Sequence, residues 1–201
     1  MNRTSLGTTS TLRINMDDFK RLTGRCAGRP QDTRPATETR CYDLLDSLGI
    51  AYFRVDHDPA MTIPMCHEVE KTLGAPICKN LFLCNRQKTQ YYLLLLTGDK
   101  IFKTKFLSQQ LGCARVSFAP EEDMRAMLDV TPGSATVLAL QNDRGHRVRL
   151  IIDRPVLDAP MFACHPCRNT STVAFPTAAL TEKILPALNV EATVVDLPEE
   201  L

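Results

Sequence analysis

The apolar run Tyr91–Thr97 is the longest in the chain, and its length limits what can be built around it. A helix that crosses a bilayer needs about 20 apolar residues, so a strand-sized run of this kind predicts no membrane span. A second apolar run, Lys79 to Leu83, precedes it, and the polar stretch Asn85 to Gln90 lies between them. That pattern predicts a β-hairpin. With 201 residues and 44% apolar composition, the chain can bury one substantial core around such a hairpin.

Helices and strands interleave around these runs. Thr37 can cap a helix that carries Cys41, Leu44, Leu45 and Leu48 on one face and stops at Gly49. Ile50 to Val55 then reads as a strand. Thr62-Ile63-Pro64 starts a helix that Gly74 closes, with proline tolerated in the first turn. Lys105 to Leu111 is helical, Arg115 to Phe118 a strand, and Pro120 to Leu128 a helix whose Glu121, Glu122 and Asp123 suit the N-terminal end of its dipole. Ala135 to Leu140 and Val148 to Ile152 are expected strands joined by the turn Asn142-Asp143-Arg144-Gly145. Met161 to Ala163, Thr172 to Phe175 and Ala192 to Leu197 add strands, with a helix over Ala178 to Leu185. Hairpins mixed with helices predict an α+β fold with a mixed, curved, barrel-like sheet and flanking helices, not a doubly wound parallel sheet. Residues 1–36 lack sustained periodicity apart from a short helical stretch at Met16 to Leu22, so the expectation is a mobile arm over 1–36 and one domain over 37–201.

The formal net charge of +1 hides an uneven distribution: residues 1–40 carry 8 Lys/Arg against 4 Asp/Glu, and the remainder 16 against 19. Any contact with nucleic acid must therefore come from a local patch. Residues 1–15 lack the apolar core of a secretory signal, and a cytoplasmic protein is expected. The 8 cysteines form no regular framework, which fits small buried thiols in a reducing compartment. Cys164 and Cys167 bracket His165 as a C-x-x-C, but zinc would need a second ligand pair, and Cys78 with Cys84 is a poor one. No metal or other cofactor is expected.

Three segments could carry chemistry. Lys79-Asn80 places a cation and an amide at the start of an apolar strand, where an ammonium can meet a phosphate or a developing oxyanion, or can simply be solvated. Thr131-Pro132-Gly133-Ser134 can turn backbone amides toward a ligand, or be an ordinary turn. His165-Pro166, with Asn169-Thr170 a few residues on, has the makings of a polar pocket wall. His57, His67 and His146 lie near turns or on a helix face and need no special role.

Taken in this order, Lys79-Asn80-Leu81-Phe82-Leu83, Arg115-Val116-Ser117-Phe118-Ala119, Thr131-Pro132-Gly133-Ser134 and His165-Pro166 with Asn169-Thr170-Ser171-Thr172-Val173 resemble the YbaK and prolyl-tRNA-synthetase-associated editing domain family. The likeness is closest to its PrdX-like members, which act as alanyl-tRNA(Pro) deacylases, and it runs from about Glu38 to Leu197. The resemblance implies a metal-independent hydrolase that clears a wrong amino acid from tRNA(Pro). It assigns Lys79 and Asn80 to catalysis, and Thr62, Pro132, Gly133, Ser134, His165 and Asn169 to the substrate pocket. The partner would be the acceptor end of aminoacylated tRNA, held by Lys79 with Lys100, Lys103, Lys105 or Arg115; prolyl-tRNA synthetase is a second candidate partner, and neither membrane nor DNA is expected. Val137 stands where the family loop has proline. Alanine is the favoured substrate by pocket size, serine and cysteine stay open, and a non-catalytic module that binds tRNA or an amino acid is the competing reading.

Overall fold

A computed structural model describes residues 21–59, 63–98 and 100–199. The chain enters as a strap: strand β1 (Cys26–Ala27) leads to helix α1 (Ala36–Ser47), strand β2 (Phe53–Asp56) and helix α2 (Ile63–Leu73). The hairpin β3 (Cys78–Asn85) and β4 (Tyr91–Thr97) follows, then helix α3 (Thr104–Gln110), strand β5 (Val116–Phe118) and helix α4 (Glu121–Leu128). Strand β6 (Val148–Asp153), the short helix α5 (Arg154–Asp158), and strands β7 (Met161–Cys164), β8 (Ser171–Pro176) and β9 (Ala192–Val195) complete the sheets. Between β8 and β9 the chain is helical from Thr177 to Ala187, with a π turn at Leu180–Ile184.

The strands form two open sheets, ordered β1-β2-β8-β7 and β5-β3-β4-β6-β9. The expected barrel is therefore absent: among the described residues the two sheets are joined by the isolated bridge between Ile77 and Ala163, and neither closes on itself. The larger sheet is mixed, as expected, because β4 pairs antiparallel with β3 and parallel with β6. Among the described residues, no helix is long and apolar enough to cross a membrane.

Strand β4 explains its own composition. Tyr91, Leu93 and Leu95 enter the core between the sheets, while Tyr92, Leu94 and Leu96 enter a second apolar layer under α3. A strand alternates its side chains between two faces, and with both faces covered the sequence becomes continuously apolar.

The expected strand over Ala135 to Leu140 is instead a 3-10 helix, Val137–Asn142. Thr136 caps it, its hydroxyl accepting from the Leu138 N–H at 3.3 Å, and Val137, Leu138, Ala139 and Leu140 are all buried. A short apolar run buried on every side has no periodicity that separates strand from helix, and the cap settles it. The expected hairpin from this segment into β6 is consequently absent, and β6 lies between β4 and β9.

Residues 21–36, read from sequence as arm, pack onto the sheet. Thr23 N–H donates to the Asp56 carbonyl at 2.8 Å and Gly28 N–H to the Tyr52 carbonyl at 3.0 Å. Arg34, half-buried, ion-pairs with Asp56 at 2.7 Å and Glu38 at 3.2 Å. Most of the expected Met16 to Leu22 helix lies outside the described residues; Leu22 itself forms a bridge with His57.

Candidate active site

β5 pairs with β3 only from Leu83 to Asn85, so among the described residues the first half of β3 has no paired strand on that side. Lys79 and Asn80 sit in this uncovered half, and a cavity of about 180 Å³ opens beside them. Its wall is drawn from five separate stretches of chain: Cys66, His67 and Glu70 of α2, Ile77 to Asn80, Gly98, Gly133 with Ala135, and His165. An apolar cavity near 150 Å³ accommodates benzene, so a small aminoacyl group is within its capacity.

The Lys79 ammonium is half-buried and donates to the carbonyl of Lys100 at 2.9 Å. That carbonyl is fixed from behind. The Lys100 ammonium is buried against Asp153 at 2.6 Å, and the second Asp153 oxygen accepts the Leu197 N–H at 2.9 Å. Lys100, expected to touch tRNA, is thereby corrected to an internal residue: its charge is neutralised inside the fold and does not face solvent. Of the other expected tRNA contacts, Lys103, Lys105 and Arg115 are exposed. Arg115 precedes β5, which meets β3 near Asn85, roughly 20 Å along the strand from Lys79 at an ordinary strand rise.

Gly133 answers two demands at once. Its φ of +82° lies in the left-handed region, and a Cβ there would come within 3.3 Å of the Asn169 amide nitrogen. The turn is closed by the Ser134 N–H donating to the Thr131 carbonyl at 2.9 Å. Gly133 thus lines the cavity with Asn169 against it, while Pro132 is exposed and Ser134 is buried, and neither is among the cavity's lining residues. Thr62 lies outside the described residues. Val137, the departure from the family loop, is fully buried in the core and does not line the cavity either.

His165 stands at the end of β7, its Nδ1 at 2.9 Å from the Ser171 carbonyl. A carbonyl only accepts, so the proton sits on Nδ1 and Nε2 keeps its lone pair. Desolvation lowers the imidazole from its ordinary 6.5 to about 4, and the nearby His57 ring adds to the shift, so His165 is neutral at physiological pH. His57, to which sequence gave no role, supports it. Its Nδ1 donates to the Asp58 carbonyl at 2.7 Å, leaving Nε2 to accept from the Thr172 hydroxyl at 2.8 Å, and that hydroxyl lies 3.3 Å from His165 Nδ1.

Glu70 is a second residue that sequence reasoning passed over. It lies one helical turn beyond Cys66 and His67, and that spacing was the available signal; which face of α2 turns inward depends on the packing. The C-x-x-C pair is taken up elsewhere: Cys167 Sγ is 3.3 Å from Cys41, and burial pushes the Cys164 thiol up to about 12. Among the described residues no group of three His, Cys, Asp or Glu is placed to hold a metal ion.

Comparison with known proteins identifies the family of the chain. The family model described as an aminoacyl-tRNA editing domain matches residues 57–183. The chain is 32% identical over 143 residues to the prolyl-tRNA editing protein ProX of Acetoanaerobium sticklandii, covering 71% of this chain and 87% of that one. It is 28% identical over 159 residues to the prolyl-tRNA synthetase associated domain-containing protein 1 of Danio rerio, covering 78% and 84%. A solved structure described as a candidate trans-editing enzyme for prolyl tRNA synthetase superposes with a TM-score of 0.61 at 17% identity, over 84% of this chain and 100% of the other, which speaks for the fold. The chain belongs to the aminoacyl-tRNA editing domain family.

Proposed function

We propose that the protein is a trans-acting aminoacyl-tRNA deacylase that hydrolyses mischarged tRNA(Pro), with Ala-tRNA(Pro) as its principal substrate. One observation carries the reading: Lys79, Asn80, Gly133 and His165, distant in sequence, line a single small cavity. The name of the ProX relative supports the choice of prolyl-tRNA.

An aminoacyl ester is already electrophilic and sits beside a vicinal ribose hydroxyl, so positioning and electrostatics suffice without a covalent protein nucleophile. In this reading the Lys79 ammonium holds the terminal phosphate or ribose and offsets the negative charge that grows on the carbonyl oxygen when water attacks. Its link to the Lys100 carbonyl keeps the amine in place without neutralising it. Backbone amides of the Gly133 turn offer further donors to the ester, and His165 Nε2 offers an acceptor. The leaving 3′-oxygen of the ribose takes the proton that the attacking water releases.

Small cavity volume favours alanine, and serine and cysteine differ from it by one polar atom. The exposed Lys103 and Lys105 follow the Lys100 turn and are suited to phosphates of the acceptor stem. The deciding experiment charges tRNA(Pro) with alanine, serine, cysteine or proline and compares hydrolysis rates. Alanine should be removed fastest and proline slowest; stoichiometric binding with no ester turnover would instead make the protein a tRNA-binding module.

A further inference from the structure

Beside the Lys79 ammonium, Asn80, His165 and Glu70 of the cavity lining each present an acceptor. Asn80 Nδ2 donates to the Cys78 carbonyl at 2.8 Å, which fixes the orientation of the amide. A flipped amide would set two oxygens against each other, so Oδ1 is the remaining atom, and it is buried without a donor. A buried acceptor with no donor is uncommon and costly, and here it belongs to a residue of the cavity wall. His165 brings Nε2, an acceptor because Nδ1 carries the proton. Glu70 brings a carboxylate whose Oε1 accepts the Ile77 N–H at 2.8 Å, which leaves Oε2 as its second acceptor atom.

Three acceptors, contributed by three separate elements, line one cavity of about 180 Å³ and call for a ligand rich in donors. An aminoacyl ester has one such group, its α-amine. A primary α-ammonium carries three N–H donors, whereas the ring nitrogen of proline carries two; the deficit of one persists if both amines are neutral. We propose that Asn80, His165 and Glu70 form an α-amine subsite, and that the cavity rejects proline by counting its N–H donors as well as by the size of its ring. The inference rests on the deacylase reading above and adds to it a chemical basis for discrimination.

Size and donor count call for different behaviour. A hydrophobic pocket discriminates weakly against one added methylene, by about 10- to 200-fold, but a site built to hydrogen-bond a group rejects the analogue that lacks a donor far more strongly, because the acceptor is left unpaired out of water. As ammonium ions, glycyl, alanyl and seryl esters each bring three α-N–H donors to the three acceptors. Any secondary amine leaves one of them empty, however small its side chain.

The test uses the full chain and tRNA(Pro) charged with alanine, 2-aminobutyrate or N-methylalanine. The last two each add one carbon to alanine, one on the side chain and the other on nitrogen. The expected result is a kcat/KM for N-methylalanine at least 10-fold below that for 2-aminobutyrate. Equal rates for these two would overturn the subsite and leave the deacylase reading standing, whereas failure to hydrolyse even the alanyl ester would overturn that reading and the inference with it. Glu70→Gln keeps an oxygen for the Ile77 N–H and so preserves the fold, which a melting curve checks. It should shrink the preference for alanine over N-methylalanine, and an unchanged preference in a folded variant would remove Glu70 from the subsite.

Discussion

The carbonyl oxygen of Lys100 accepts the Lys79 ammonium at 2.9 Å, while the Lys100 side chain points back to Asp153 at 2.6 Å. One lysine thus orients another through its backbone, and its own charge never reaches the site. Asp153 is fully buried, so removing Lys100 strands a carboxylate. Lys100→Ala should cost about 3–5 kcal/mol, seen as a fall in Tm of roughly 10 °C or more. Adding Asp153→Leu should recover part of it, because the stranded charge is removed while the Leu197 N–H loses its acceptor. A Lys100→Ala protein that melts like the parent would mean the pair is not internal.

Among the described residues the Lys79 side chain donates to the carbonyl of Lys100, a residue that its own ion pair with Asp153 still anchors when Lys79 is removed. Lys79→Ala should therefore leave the melting temperature within about 1 kcal/mol of the parent in free-energy terms and abolish deacylation. Single-turnover hydrolysis of Ala-tRNA(Pro) is the measurement, and parental rates in the variant would remove Lys79 from the mechanism.

Gly133→Ala forces an L-residue to φ +82° and brings its Cβ within 3.3 Å of the Asn169 amide. The strain should cost about 1–2 kcal/mol in urea denaturation. The larger effect belongs to kcat/KM, since the turn borders the cavity; a drop of tenfold or more is expected.

Stability should fall as the solution is acidified. Between the ordinary 6.5 and the folded value of about 4, an unfolded His165 binds a proton that the folded protein refuses, so stability is full above 6.5 and is lost as pH drops toward 4. Burial shifts His57 in the same direction. Urea unfolding at a series of pH values should show this slope, and His165→Gln should flatten it. Thr172→Val, which leaves the buried Nε2 of His57 without its donor, should destabilise by about 1–3 kcal/mol at neutral pH.

Binding of tRNA should weaken with salt, each phosphate contact adding about 0.7–0.9 to the slope of log K against log salt. Replacing the exposed Lys103, Lys105 and Arg115 by glutamine together should lower that slope by about 2. A slope identical to the parent's in filter binding would move the acceptor-stem contact to another face.

The β3–β4 hairpin, the helices around it and the order of the Lys79, Gly133 and His165 segments were all legible in the sequence, because each depends on local patterning: apolar runs, turn residues and caps. The same local signals failed at Val137 to Leu140, where burial on all sides removed the periodicity that tells strand from helix. They also failed for the strap, since Arg34 is ordered by Asp56, a residue it meets only after folding.

By itself, then, the chain's order of residues determined an α+β fold and a cation-amide pair on a strand. Only the tertiary structure decided that Lys100 turns inward to Asp153, that Val137 belongs to the core and not to the cavity, and that Glu70 joins the wall. The physical reason is the same in each case. Exposure and charge pairing are properties of contacts between segments far apart in the chain, and packing chooses among them after the local elements have formed.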